Sequence, residues 1–181
     1  MDFKQIEQAT MLAIDETNHS ISLLERLIAE ADEASWDLLL ALNPDEIEAI
    51  SFHRSYVRGS STYDELKSAG ELRFIQSESL RSELADFERT RAIHVSAARA
   101  IEVMRDREAP NISSRLNLLF TANESEDENV TETIVMLRQK PITTNEFQTE
   151  LGGLLSQYLT VKYWHEQTLE DVRQVLMEFE D

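Results

Sequence analysis

The strongest constraint on this chain is the spacing of its apolar residues, which return every three or four positions over stretches far longer than an ordinary helix. Phe3, Ile6, Thr10, Ala13, Thr17, Ile21, Leu24, Ile28 and Ala31 follow this rhythm, and only the threonines weaken it. Such a stripe runs down one side of an α-helix and has to be covered by other helices. It predicts one long helix over about 2–41, with a break near Ser35 and Trp36.

Two further segments carry the same signal. Leu80, Leu84, Phe87, Ala97, Ile101 and Met104 share a face, with Ile93 and His94 at its edge, and predict a helix over 78–108. It should stop before Pro110, because the residue preceding a proline is disfavoured in helical conformation. Phe147, Leu151, Leu154, Leu155, Tyr158, Val161, Leu169, Val172, Leu176 and Phe179 predict a third helix over 144–180. Gly152-Gly153 inside it costs about 1 kcal/mol per glycine relative to alanine. Close approach of a neighbouring helix, a local bend, and a hinge or ligand contact are the readings open for that pair.

Shorter helices are expected between these. In "NPDE", 43–46, Asn43 can cap, Pro44 suits the first helical position and Glu46 can reach back, so a helix follows over 44–57. "SEDE" at 125–128 and "TTNE" at 143–146 repeat the capping box, the first opening a helix over 126–139, with Pro141 after it. In "RGSSTYDELKSAGEL", 58–72, Gly59 can release the preceding helix, and Thr62 can cap a short helix over 62–69 with Glu65 reaching back. Gly70 then stops it in the left-handed conformation, and Leu66, Leu72, Phe74 and Ile75 fold beneath as a plug. No strand alternation or hairpin dipeptide occurs. The expectation is a single all-α domain over 1–181, a bundle of three long helices, with 109–125 as its one weakly structured connection.

Charge and composition exclude several functions. With 17 Lys and Arg against 35 Asp and Glu, the formal charge is −18, which would repel nucleic acid. The absence of cysteine removes disulfides, thiolate nucleophiles and Cys-ligated metals. The longest apolar run, "LLLAL" at 38–42, is too short to cross a membrane, and "MDFKQIEQAT" is unlike a signal peptide.

Candidate chemistry is sparse. Glu16 and His19 in "ETNH" have the Glu-x-x-His spacing of carboxylate-bridged di-iron bundles, which need a second such pair. The residues three before His53, His94 and His165 are Ile50, Arg91 and Lys162, so that pair is missing. "YWHEQ", 163–167, is not followed by the second histidine of a zinc-peptidase motif, and no phosphate loop or nucleophile elbow occurs. No metal, no other cofactor and no catalytic residue is expected. Candidate ligand contacts are Arg58 with Ser60, Ser61 and Thr62, where a helix start could receive an anion, and the aromatic set Tyr158, Tyr163 and Trp164. His53, Arg54, Tyr56 and Arg58 form a small basic island, read as pairing with neighbouring carboxylates or meeting an anionic ligand.

Residues 60–88, "SSTYDELKSAGELRFIQSESLRSELADFE", resemble the signature of a large family of uncharacterised bacterial proteins, YxxLxxSGxLxxIxxxxLRxxLxxYY. The matching positions are Tyr63, Leu66, Ser68, Gly70, Leu72, Ile75, Leu80, Arg81 and Leu84, while Ala69 separates Ser68 from Gly70 and Phe87-Glu88 stand where the pattern has two tyrosines. The resemblance implies one N-terminal membrane helix followed by an extracytoplasmic helical domain, and no established activity. The expectation is the soluble part of a membrane-anchored protein, its anchor absent from this chain, on the periplasmic face of a bacterial membrane, with the cytoplasm as alternative. The expected function is non-enzymatic binding of a ligand or partner, in the manner of a sensor. The alternatives are an oligomerising scaffold built on the long helices and a metal-dependent enzyme.

Overall fold

The computed structural model describes residues 3–31, 35–51, 61–109, 112, 114, 116 and 143–180; within these, the side chains of 35–37, 61, 62, 101, 102, 104–106, 108 and 180 lie outside the description. The described residues are all-α and contain no strand. The elements are α1 (Phe3–Glu30), α2 (Ser35–Leu40), α3 (Pro44–Ser51), α4 (Ser61–Ser68), a 3-10 turn (Glu71–Phe74), α5 (Glu78–Glu108) and α6 (Thr144–Glu180). The expected helix over 126–139, its cap at 125–128, Pro141, Gly59 and the end of the 44–57 helix fall outside the described residues.

Local chemistry sets several boundaries. Asn43 Oδ1 accepts the Glu46 amide at 3.0 Å while Glu46 accepts the Asn43 amide at 3.0 Å, the reciprocal box expected at the start of α3. Thr143 and Glu146 close the same box at α6, with the Glu146 amide 3.2 Å from Thr143 Oγ1. Ser77 caps α5 by accepting the Leu80 amide at 3.1 Å. The break expected near Ser35 and Trp36 is present, since the first helix ends at Glu30 and α2 begins separately at Ser35, so the 2–41 stretch is two helices and not one. Glu30 puts negative charge at this helix C-terminus with no basic residue in the last turn, which opposes the helix dipole. α4 begins at Ser61, so Thr62 lies inside its first turn instead of capping it.

The chain falls into two compact units. Unit 1 comprises Met1–Asp15, Arg54–Ala100 and Thr160–Asp181; unit 2 comprises Glu16–His53 and Ile101–Leu159. The core of unit 1 gathers Phe3, Ile6, Ala13, Tyr63, Leu80, Leu84, Phe87, Val172 and Val175. Phe87 meets the Phe3 ring edge-on at 5.2 Å and the Tyr63 ring at 6.3 Å. The corner after α4 turns at Gly70, whose φ of 70° is left-handed as expected. Leu72 and Ile75 pack against the core, but Phe74, expected in the plug, is 68% exposed, its ring under the Arg73 guanidinium at 4.8 Å. Arg81 donates to the Ile75 carbonyl at 3.1 Å, closing the corner onto α5. Across α4 and α5, Arg91 sits between Asp64 at 3.1 Å and Glu88 at 3.6 Å, and Lys67 holds Glu88 at 2.7 Å.

In unit 2, Ile21, Leu24, Leu27, Leu39, Ile47, Ile50, Phe147, Leu151 and Leu154 form the core. It also takes in Ala109, Ile112 and Leu116, all fully buried, so the connection expected to be weakly structured contributes helical residues at 112, 114 and 116. The anchor is Glu150, buried on α6, whose carboxylate accepts the Ile112 amide at 2.8 Å. Among the described residues no atom lies within 4 Å of where a Cβ on Gly152 would stand.

The threonines of the α1 stripe fit an apolar face because a threonine hydroxyl can be spent within its own helix: Thr10 donates to the Ile6 carbonyl at 2.7 Å. The face of α5 continues differently from expectation. His94 and Ala98 are buried, while Ile93 is exposed and Ala97 only partly buried. From Leu80, steps of four and three reach Leu84, Phe87, Arg91, His94 and Ala98, so the register carries straight through polar residues.

Candidate functional site

Of the expected ligand contacts, Arg58 and Ser60 lie outside the described residues, as do His53, Arg54 and Tyr56. Ser61 and Thr62 form the first turn of α4. Tyr158 is buried in unit 2, its one hydroxyl hydrogen shared between the carbonyls of Ala49 at 3.0 Å and Ile50 at 2.8 Å. Ser20 donates to the same Ala49 carbonyl at 2.8 Å, so two side chains serve the last turn of α3. That hydroxyl is therefore committed to the fold. Tyr163 and Trp164, in unit 1, meet edge to face at 5.0 Å, and Tyr163 stands half exposed.

Unit 1 also carries an open groove of about 410 Å³ along α6, lined by Glu166, Leu169, Glu170, Arg173, Gln174 and Met177. Its apolar floor is Leu169 and Met177, the latter 51% exposed. Arg173 is braced against α1, with Nε 2.9 Å from Glu7 Oε1 and Nη2 3.8 Å from Met11 Sδ. Met11 and Leu12 are themselves exposed. Lys162 stands 3.8 Å from Glu166 at the other end. An exposed apolar strip beside a fixed cation and two carboxylates is suited to holding a molecule by contact.

The least expected arrangement lies inside unit 1. His94 on α5 is 2% exposed and His165 on α6 is 0% exposed, and their rings meet edge to face with centroids 4.7 Å apart. His94 Nδ1 lies 3.2 Å from Thr168 Oγ1, and that hydroxyl donates to the Trp164 carbonyl at 2.8 Å. The one hydroxyl therefore lies within hydrogen-bond reach of both the Trp164 carbonyl and the His94 ring, the direction of the latter contact following the ring's tautomer. The expected stripes set His94 at the edge of its face and passed over His165; the unbroken three-and-four spacing is the signal for both.

Nearby acids are engaged in structure. Burial holds Asp171 above the usual carboxylate range, reinforced by Asp86 and Glu170 and opposed by a hydrogen bond with Thr90. Asp86 pairs with Arg89. Glu16 and His19 are exposed on α1, and among the described residues no three His, Asp or Glu side chains gather to hold a metal. No family model matches the chain, and neither a curated protein nor a solved structure matches it.

Proposed function

We propose that this chain is a non-enzymatic helical domain that binds a ligand or partner protein on an outer helical face, its bundle framed by three long helices, α1, α5 and α6. The observation that carries the reading is the groove of α6, where Leu169 and half-exposed Met177 lie beside an arginine held in place by Glu7. Methionine adapts to varied apolar shapes, and a braced guanidinium presents its charge at low entropic cost. The signature-like stretch 60–88 contributes architecture to this reading: Tyr63, Leu80 and Leu84 are core, Gly70 makes the turn and Arg81 closes it.

The same resemblance supports placing the domain on the extracytoplasmic face of a bacterial membrane, held by an anchor outside this chain. Among the described residues no helix is long and apolar enough to cross a membrane. A full reading frame that encodes no membrane helix would remove this part of the proposal. A second reading, an oligomerising scaffold, draws on the exposed Met11 and Leu12 of α1.

Methyl-labelled methionine spectra combined with sedimentation test both. A ligand or partner that binds should shift the Met11 and Met177 methyl signals of a monomeric chain. Binding that leaves both signals in place argues against the groove. Self-association abolished by Met177→Glu would assign the face to a second copy and favour the scaffold.

A further inference from the structure

We infer that Met11 and Met177 form a peroxide-sensitive modification site on the face of unit 1 built by α1 and α6, where oxidation to the sulfoxide redirects Arg173. The chemistry goes beyond the binding proposal and stands without it; only the consequence for an occupant of the groove rests on that reading. Four side chains from two helices build the site. Glu7 and Met11 lie one turn apart on α1, and Arg173 and Met177 lie one turn apart on α6, so each pair shares a face. The Arg173 guanidinium joins the helices, with Nε 2.9 Å from Glu7 Oε1 and Nη2 3.8 Å from Met11 Sδ. Met11 is 46% exposed and Met177 51% exposed, so an oxidant in solvent reaches both side chains.

The chain has five methionines and no cysteine, so a peroxide meets its sulfur only as thioether. In the reaction the sulfur lone pair attacks the terminal oxygen of a hydroperoxide. An S–O bond forms as the O–O bond breaks, and the proton of the transferred oxygen passes to the departing one. Methionine is oxidised by two electrons to the sulfoxide, and the hydroperoxide is reduced to an alcohol, or to water when it is hydrogen peroxide. An external dithiol acting through a sulfoxide reductase reverses the step, the oxygen leaving as water and the dithiol becoming a disulfide.

What sets Met11 apart from any exposed methionine is the cation beside it. A thioether sulfur accepts a hydrogen bond weakly, whereas the oxygen of a sulfoxide is strongly polar and accepts readily. The 3.8 Å from Nη2 to Sδ lies within the combined reach of an S–O bond and an N–H···O hydrogen bond of about 2.9 Å meeting at a bent oxygen. Oxidised Met11 therefore holds Nη2 while Glu7 keeps Nε, and the guanidinium is fastened to α1 through two arms of its fork. The same chemistry at Met177 makes the floor of the groove polar. An occupant that uses the apolar floor and the cation then binds more weakly.

Methyl-labelled methionine spectra and Arg173 guanidinium spectra of the whole chain, recorded during exposure to hydrogen peroxide, test this without any ligand. Failure of the binding proposal therefore leaves the outcome unaffected. The expected result is conversion of Met11 and Met177 in the folded chain at rates within about tenfold of those in the urea-unfolded chain, accompanied by a shift of the Arg173 signals. A sulfoxide reductase with dithiothreitol should return both methionines and the Arg173 signals to their starting positions. Met177→Leu should keep the Arg173 shift, and Met11→Leu should abolish it. Either methionine staying reduced until the chain unfolds would overturn the site. So would a converted Met11 with the Arg173 signals unmoved, or a shift that survives in Met11→Leu.

Discussion

Tyr158→Phe separates a tyrosine that holds the fold from one that meets a ligand. The substitution keeps the buried ring in the core of unit 2 and removes a hydroxyl whose one hydrogen is shared between Ala49 O at 3.0 Å and Ile50 O at 2.8 Å. Losing a buried donor of this kind costs about 1–2 kcal/mol, because carbonyls exchanged for water in the unfolded chain lose their partner only in the folded one. Ser20→Ala removes the other side-chain donor to Ala49 O, at 2.8 Å, and should cost about 1 kcal/mol alone. Each single variant leaves that carbonyl one hydroxyl; the double variant leaves it neither. The double variant should therefore exceed the sum of the singles by about 1 kcal/mol, as expected for residues that share a partner. Urea unfolding followed by far-ultraviolet circular dichroism reads this as midpoints lowered by about 0.5–1 M for Tyr158→Phe at unchanged slope. A loss below about 0.3 kcal/mol, or strict additivity within the usual scatter of independent sites, would refute the shared-carbonyl reasoning.

Two glycines should respond in opposite directions although, among the described residues, a Cβ at either would meet nothing within 4 Å. Gly70→Ala forces a side chain into φ near 70° and should destabilise by about 1–2 kcal/mol, whereas Gly152→Ala removes backbone freedom inside α6 and should stabilise by about 1 kcal/mol; thermal melts compare them. Glu46 is held below its ordinary value of 4.5, first by the Asn43 amide and then by Arg26. A depressed carboxyl contributes stability above that value and loses it as pH falls through the lower folded value, so unfolding of wild type between pH 5 and about 3 should be steeper than that of Glu46→Gln. Equal acid slopes would remove Glu46 from the cause.

Where helices start and stop was legible because the responsible groups are local. Asn43 with Glu46, and Thr143 with Glu146, sit three residues apart and need nothing from the rest of the chain to pair. Gly70 was legible for the same reason, since a left-handed turn is a property of one residue. What failed depended on distant partners. Nothing around Ile112 announces that Glu150, 38 positions later, accepts its amide and draws Ile112 and Leu116 into the core. Phe74 has the polarity of a core residue and the spacing of one, yet lies outside under Arg73. Phe179, expected to close the last stripe, is 59% exposed and touches Phe3 at 6.4 Å between ring centroids.

The buried histidines mark a different kind of illegibility, one of criterion instead of distance. Counting fours and threes from Phe147 gives Leu151, Leu154, Tyr158, Val161, His165, Thr168, Val172 and Val175, every one of them buried. Requiring each position to be apolar breaks that sequence after Val161 and resumes it off register at Leu169, which is only partly buried. The backbone repeats at 3.6 residues whatever the side chain, so position on the face outranks residue type once neighbouring turns are fixed. A polar residue admitted there has to settle its hydrogen bonds inside the protein, and Thr168 does so with the Trp164 carbonyl and the His94 ring. Replacing His94 and His165 by leucine would keep the stripe and remove those obligations, so stability alone does not explain them.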